Sequence, residues 1–234
     1  MLRIDQSRYK SIPGYKQQTL FSRSSSSTTD AYRRWNSLSI GSWYDFCVKR
    51  RRHRIELDCA ANVAAAAGVP NVCLPINTFT ALGGDALTDD TVTGVGDVAA
   101  DTGLPNTFVP GRNLVFLSFA AAFAWQRNIR HLVTGVAQTD YSGYPDCRAE
   151  TIEALQRAIR LGMESDLEIH TPLMHLSKKR TVELAVALGA LDVMALTHSC
   201  YNGRRPPCGV CPACKLRAKG FAEAGVDDPL LAVT

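Results

Sequence analysis

Cys200, Cys208, Cys211 and Cys214 fall within 15 residues, in the pattern Cys-x7-Cys-x2-Cys-x2-Cys. Four thiolates on short turns can reach one tetrahedral metal ion, and the two-residue spacings let backbone amides fold around the sulfurs. Gly209 and Pro212 suit such tight turns, and Pro206-Pro207 stiffen the approach to Cys208. The spacing favours zinc, with an iron–sulfur cluster or free redox thiols as rivals. With every ligand supplied by protein, such a site is structural and not a Lewis acid. Its expected role is to hold the C-terminal segment against the rest of the chain.

Two further stretches concentrate polar chemistry. Leu104-Pro105-Asn106-Thr107-Phe108-Val109-Pro110-Gly111-Arg112-Asn113 leads into an apolar run. Arg112 at a helix entry, beside the first free amides, makes an anion site, or alternatively caps a neighbouring carbonyl. Asp140, Ser142, Tyr144, Asp146 and Arg148 crowd a loop shaped by Gly143 and Pro145, after the apolar segment 131–136. Carboxylates there can accept hydrogen bonds from the ring N–H and amino groups of a purine-like base. Tyr144 offers a stacking face, and Arg148 can pair with a carboxylate or phosphate. A decorated surface loop is the competing reading. Cys147 has no local histidine base, which favours packing over nucleophilic attack.

The elements that must carry these groups alternate in type. Residues 55–68 read as an alanine-rich helix stopped by Gly68. Strands are expected at 71–76, 131–136 and 168–173, and helices at 113–128, 149–162 and 178–188. Ile152, Leu155, Ile159 and Leu161 mark the apolar side of the second of these helices. Ser177 caps the third and Gly189 ends it. Residues 77–105 form a long Thr/Asp/Gly-rich loop or lid. Strands alternating with helices imply an α/β fold with a parallel sheet, which binds ligands at the carboxyl ends of its strands. Cys47, Cys59, Cys73 and Cys147 are scattered, as small buried residues tend to be.

Composition narrows the class. The 234 residues are 46% apolar and 21% charged, an ordinary globular balance. No run approaches the ~18 apolar residues of a membrane span, and Met1-Leu2-Arg3-Ile4-Asp5-Gln6 lacks the apolar core of a secretory signal. A cytoplasmic protein without membrane attachment is expected. The net charge of +4 hides an asymmetry. Residues 1–54 hold 12 Lys/Arg against 3 Asp/Glu, while the remainder holds 14 against 19. The basic arm suggests either a solvated segment or a nucleic-acid footprint.

These two loops, with Cys200-Tyr201-Asn202-Gly203 and Cys208-Gly209-x-Cys211-x-x-Cys214-x-x-Arg217, resemble the QueC family of 7-cyano-7-deazaguanine synthases over roughly residues 53–230. The resemblance implies an N-type ATP pyrophosphatase, with a Rossmann-like parallel five-stranded sheet, helices on both faces and a C-terminal zinc module. It implies conversion of 7-carboxy-7-deazaguanine, ammonia and ATP with Mg²⁺ into the nitrile that feeds queuosine synthesis, by a homodimer carrying one structural Zn²⁺ per chain. It places Arg112, Asp140 and Arg148 in catalysis. Ser22, Ser24, Ser27, Thr28, Arg112 and Gly135 fall at ATP, and Asp140, Ser142, Tyr144, Asp146 and Arg148 at the deazapurine. Three regions follow: an N-terminal segment 1–52, an α/β nucleotide- and substrate-binding domain 53–195, and a zinc module with tail 196–234. A direct nucleic-acid partner is not implied, although an RNA-binding zinc protein is a rival class.

The N-terminal segment departs from the family pattern. The family's ATP grip, Ser-Gly-Gly-x-Asp-Ser, is here Ser22-Arg23-Ser24-Ser25-Ser26-Ser27, followed by Thr28-Thr29. Glycines let backbone amides wrap a pyrophosphate, and Arg23 and Ser24 would strain or open that nest. The family's Asp-Tyr-Gly-Gln-Arg-His survives only as Arg52-His53. The expectation is weakened ATP use and slow catalysis, or a non-catalytic relative that keeps only its deazapurine pocket.

Overall fold

A computed structural model describes residues 51–76, 78–89, 91–98, 102–138 and 143–232. Helix α1 spans Arg51–Ala67, four residues earlier than the sequence suggested. Its alanines lose no side-chain entropy on coiling. It stops at Gly68, whose φ of 67° lies in the left-handed region that glycine tolerates. The strand expected at 71–76 is absent: these residues have no regular secondary structure. Pro75 withholds a ladder donor, and of the apolar residues there only Ile76 is buried.

The expected lid is partly ordered. Helix α2 (Thr78–Leu82) opens it, and the buried Asp85 carboxylate then accepts from the backbone N–H groups of Leu87 and Thr88 and from the Thr88 hydroxyl. Further on, the Asn106 carboxamide ties the loop to itself. It accepts from Gly96 N at 2.8 Å and donates to Gly94 O at 2.9 Å.

Helix α3 (Arg112–Trp125) follows. Its face of Ala120, Ala121 and Ala124 lets the helix lie close over Leu132, Ile159 and Leu167, forming the main core. Strand β1 is His131–Val133 and β2 is Glu168–His170, paired in parallel with Leu132 opposite Ile169. The α/β class with a parallel sheet therefore holds. Among the described residues the sheet has two strands and not the five expected. Both are also shorter than expected. The last rung is Thr134 N to His170 O at 2.9 Å; beyond it Pro172 has no N–H to give and residues 172–175 turn. Ile169 N, which faces away from β1, donates instead to the Gln156 side chain at 2.6 Å. That bond satisfies a donor that β1 does not reach.

Helix α4 (Ala149–Gly162) runs as expected. Ile152 and Ile159 are buried, but Leu161 is 75% exposed. Two residues beyond Ile159, Leu161 stands about 200° around the helix and leaves the apolar side. Helix α5 (Lys178–Ala187) is capped by Ser177 Oγ, which accepts from Arg180 N at 3.3 Å. The C-terminal region holds a helix that the sequence reading treated only as module and tail. This is α6 (Pro212–Ala224), followed by α7 (Pro229–Ala232). A Cβ at Gly220 would come within 2.8 Å of Lys178 Cβ and 3.2 Å of its backbone carbon, so α5 and α6 cross where glycine is needed. No helix among the described residues is long and apolar enough to cross a membrane.

Candidate functional site

The four cysteines converge. Their sulfurs all lie within 4.8 Å of one another, and Cys208 and Cys214 are 3.9 Å apart. Cys211 caps α6, with Pro212 at the first helical position. That start aims Cys214, one turn on, back toward Cys211. Backbone amides close on the sulfurs: Cys208 N donates to Cys200 Sγ and Cys211 N to Cys208 Sγ, each at 3.4 Å. The Asn202 amide adds a third such donor, to Cys208 Sγ at 3.4 Å. Burial tends to raise the Cys208 thiol, but the N–H groups of Cys211 and Val210 and the Asn202 amide pull it down to about 6. Cys214 is pushed well up, first by burial and then by its contact with Cys211. This donor set suits a thiophilic metal ion, and no disulfide occurs among the described cysteines.

The loop ending at Arg112 and the turn around Asp146 meet each other. Asp146, buried in the short turn Pro145–Cys147, accepts from Asn113 N at 2.9 Å. It thereby caps α3, whose own N-cap, Gly111, has no side chain to do so. The Asn113 amide donates to Cys147 Sγ at 3.2 Å. Tyr144 is buried; its hydroxyl shares a hydrogen bond of 2.6 Å with Thr107, and its ring lies 5.6 Å from that of Phe108. Arg112 is the first residue of α3 and half-buried, while Arg148 is exposed at the N-cap of α4. Gly135 is exposed just beyond the carboxyl end of β1. Asp140 and Ser142 lie outside the described residues, as do Ser22, Ser24, Ser27 and Thr28.

The cysteine centre and the loop junction share a support. Tyr201, next to Cys200, packs on the cluster of Ile76, Phe79, Leu87, Val109 and Phe116 beneath the Arg112 loop. Gly96 presses on Pro212, where a Cβ would come within 2.3 Å of the ring. The module is further clasped by Arg217, whose guanidinium binds the Asp228 carboxylate at 2.5 and 2.7 Å, the Thr197 hydroxyl at 2.7 Å and Met194 O at 3.0 Å. Among the scattered cysteines, Cys59 is buried and Cys147 partly so, but Cys73 is exposed. Cys47 lies outside the described residues.

Sequence reasoning did not single out Thr107, Phe108 or Asn113 as partners of Tyr144 and Asp146. Their roles depend on contacts across 33 to 37 residues, which no local pattern announces. Asp85 and Asn106 had a weak signal, each following residues (Gly83-Gly84, Pro105) that favour turns.

Residues 24–225 match the family model described as queuosine biosynthesis protein QueC. The chain is 65% identical over 181 residues to a 7-cyano-7-deazaguanine synthase of Chromobacterium violaceum, covering 77% of each chain. A synthase of the same name from Laribacter hongkongensis is 64% identical over 181 residues, 77% of this chain and 79% of that one. One from Azorhizobium caulinodans is 43% identical over 238 residues, 90% and 94% of the two chains.

Proposed function

The chain belongs to the queuosine biosynthesis protein QueC family, and from that membership we propose that it makes 7-cyano-7-deazaguanine from 7-carboxy-7-deazaguanine, ammonia and ATP. A carboxylate resists amination because oxide is a poor leaving group. Transfer of AMP from ATP, with release of pyrophosphate, gives a better one, which ammonia displaces to form the amide. Activating the amide oxygen in the same way, then losing AMP and the nitrogen-bound protons, yields the nitrile.

This chemistry needs the base held beside the alpha-phosphate, with charge stabilised as pyrophosphate departs. In this reading the Arg112 guanidinium takes phosphate, with Mg²⁺ accompanying ATP. Gly135 lets the nucleotide approach the end of β1. Asp140, Ser142 and Arg148 reach the deazapurine, and Tyr144 and Asp146 set the wall on which it lies. Zn²⁺ is the ion we assign to the four cysteines. Sulfurs about 2.3 Å from zinc stand about 3.8 Å apart in a tetrahedron, close to the 3.9 Å between Cys208 and Cys214. There it would lock the module and take no part in the reaction. A cytoplasmic homodimer is the assembly this reading carries.

The observation that carries the proposal is the Asn113–Asp146 bond, which joins the Arg112 loop to the Asp146 turn. The test is incubation of the zinc-loaded protein with the carboxylate, ammonia and MgATP. The nitrile, AMP and pyrophosphate are the expected products, and a folded protein that forms none of them overturns the catalytic reading. A second reading is favoured by Arg23, Ser24 and Ser26, which stand where the family pattern has its two glycines and aspartate. In it the chain binds the deazapurine but not ATP. Calorimetry separates the two, since only an ATP-using chain gains thermal stability from MgATP.

A further inference from the structure

A second group of metal-binding side chains lies away from the cysteines. His131 begins β1, and Glu168 and His170 lie on β2. The parallel register sets His131 opposite Glu168, with Leu132 opposite Ile169. Because side chains alternate across a strand, His131, Glu168 and His170 share the face that Leu132, buried in the main core, leaves. A slip of one residue would turn His170 into that core, so the buried face pins the register of the exposed one.

Their donor atoms converge without any ion. His131 Nδ1 lies 3.0 Å from His170 Nε2 and 3.4 Å from Glu168 Oε2. His170 Nε2 lies 3.7 Å from the same carboxylate oxygen. Ligands about 2.1 Å from a divalent transition metal stand about 3.0 Å apart in an octahedron and about 3.4 Å apart in a tetrahedron. Two edges of the observed triangle have those lengths, and the third, at 3.7 Å, is about 0.3 Å longer. Arg130, beside His131 in sequence, is paired with Asp166 at 2.9 Å.

We propose that His131, Glu168 and His170 form a second divalent-metal site, suited to a borderline ion such as Zn²⁺, Co²⁺ or Ni²⁺ and independent of the four-cysteine centre. Two imidazoles select against Mg²⁺ and Ca²⁺, which prefer oxygen. The site opens to solvent, with His131 46% and Glu168 49% exposed at the side chain. Water therefore completes the coordination, and the bound ion stays exchangeable while the cysteine-held ion does not.

The rival is a hydrogen bond between the two imidazoles, which needs one proton on the line joining their nitrogens. Metal content of the full-length protein decides. After dialysis against Zn²⁺ under reducing conditions, the wild type should hold one more equivalent than the His131→Ala/His170→Ala double variant. Unchanged helical circular dichroism and the retained cysteine-bound equivalent certify that the variant folds. Co²⁺ added to zinc-loaded wild type should give the weak d–d absorption of nitrogen and oxygen ligands, without thiolate charge transfer, and Glu168→Gln should weaken that binding more than tenfold. Equal metal content in wild type and double variant, or a cobalt spectrum showing thiolate bands alone, overturns the site.

Discussion

The four-cysteine centre and the junction between the Arg112 loop and the Asp146 turn are built on opposite plans. The first takes all its ligands from residues 200–214 and folds amides of the same short segment onto its sulfurs. The second joins partners 33 to 37 residues apart, through a carboxylate on a helix N-terminus and a hydroxyl pair in the interior. A centre made of neighbours tolerates drift elsewhere in the fold. One made of distant partners is only as well placed as the elements that bring them together. The Arg112 loop thus inherits its precision from α3 and the Pro145–Cys147 turn, whereas the cysteine cluster is set by its own short segment.

The contrast orders what should happen when each region is broken. Chelating the metal, or Cys211→Ser, should have the largest effect, because a structural ion's binding energy is folding energy. The loss should approach the scale of structural zinc binding, about 10 kcal/mol, read as a collapse of the urea midpoint with freed mobility of α6. Asp228→Ala should come next. It strands the Arg217 guanidinium, only 11% exposed, and breaking such a buried pair costs about 3–5 kcal/mol. The same denaturation series measures it, and retention of the bound metal would show that the clasp and the centre are separable.

At the junction the stability effects shrink while the effect on catalysis grows. Asp146→Ala removes the cap of α3 and should cost about 1–2 kcal/mol, yet lower kcat/KM by far more than that loss of stability suggests, since Arg112 starts the same helix. Steady-state kinetics at a temperature where the variant is fully folded would check this; an unchanged kcat/KM would break the comparison. Tyr144→Phe should be mildest, about 1 kcal/mol from leaving the buried Thr107 hydroxyl without its partner. Thermal midpoints of Tyr144→Phe and Thr107→Val, and of the two together, should be non-additive if that one bond is what each removes.

Helices were legible where periodicity and caps agreed. Ala149–Gly162 and the Ser177-capped Lys178–Ala187 sit where Gly, Ser and the apolar stripe put them. Leu161 was misread because one leucine near a stripe is not on it. The strands were overextended because an apolar run shows that a segment is buried but not where its hydrogen-bonding neighbour ends; Pro172 was the available warning. Helix α6 was not legible because its first turn is written in the Cys and Pro of the cluster, residues that signal turns as readily as a helix start. The two loops were recognised as chemically dense, but their partners Thr107 and Asn113 were not.

Taken alone, the order of residues determined the family, the four-cysteine cluster and most helix ends, because each is written in short spacings or local caps whose physics acts within a few residues. Tertiary structure decided that Asp146 caps α3, that Tyr144 bonds Thr107, and that His131 faces Glu168 and His170 across a parallel register. Those outcomes follow from burying one face of a sheet and one side of a helix together, and that burial sets distances between residues which the linear chain keeps far apart.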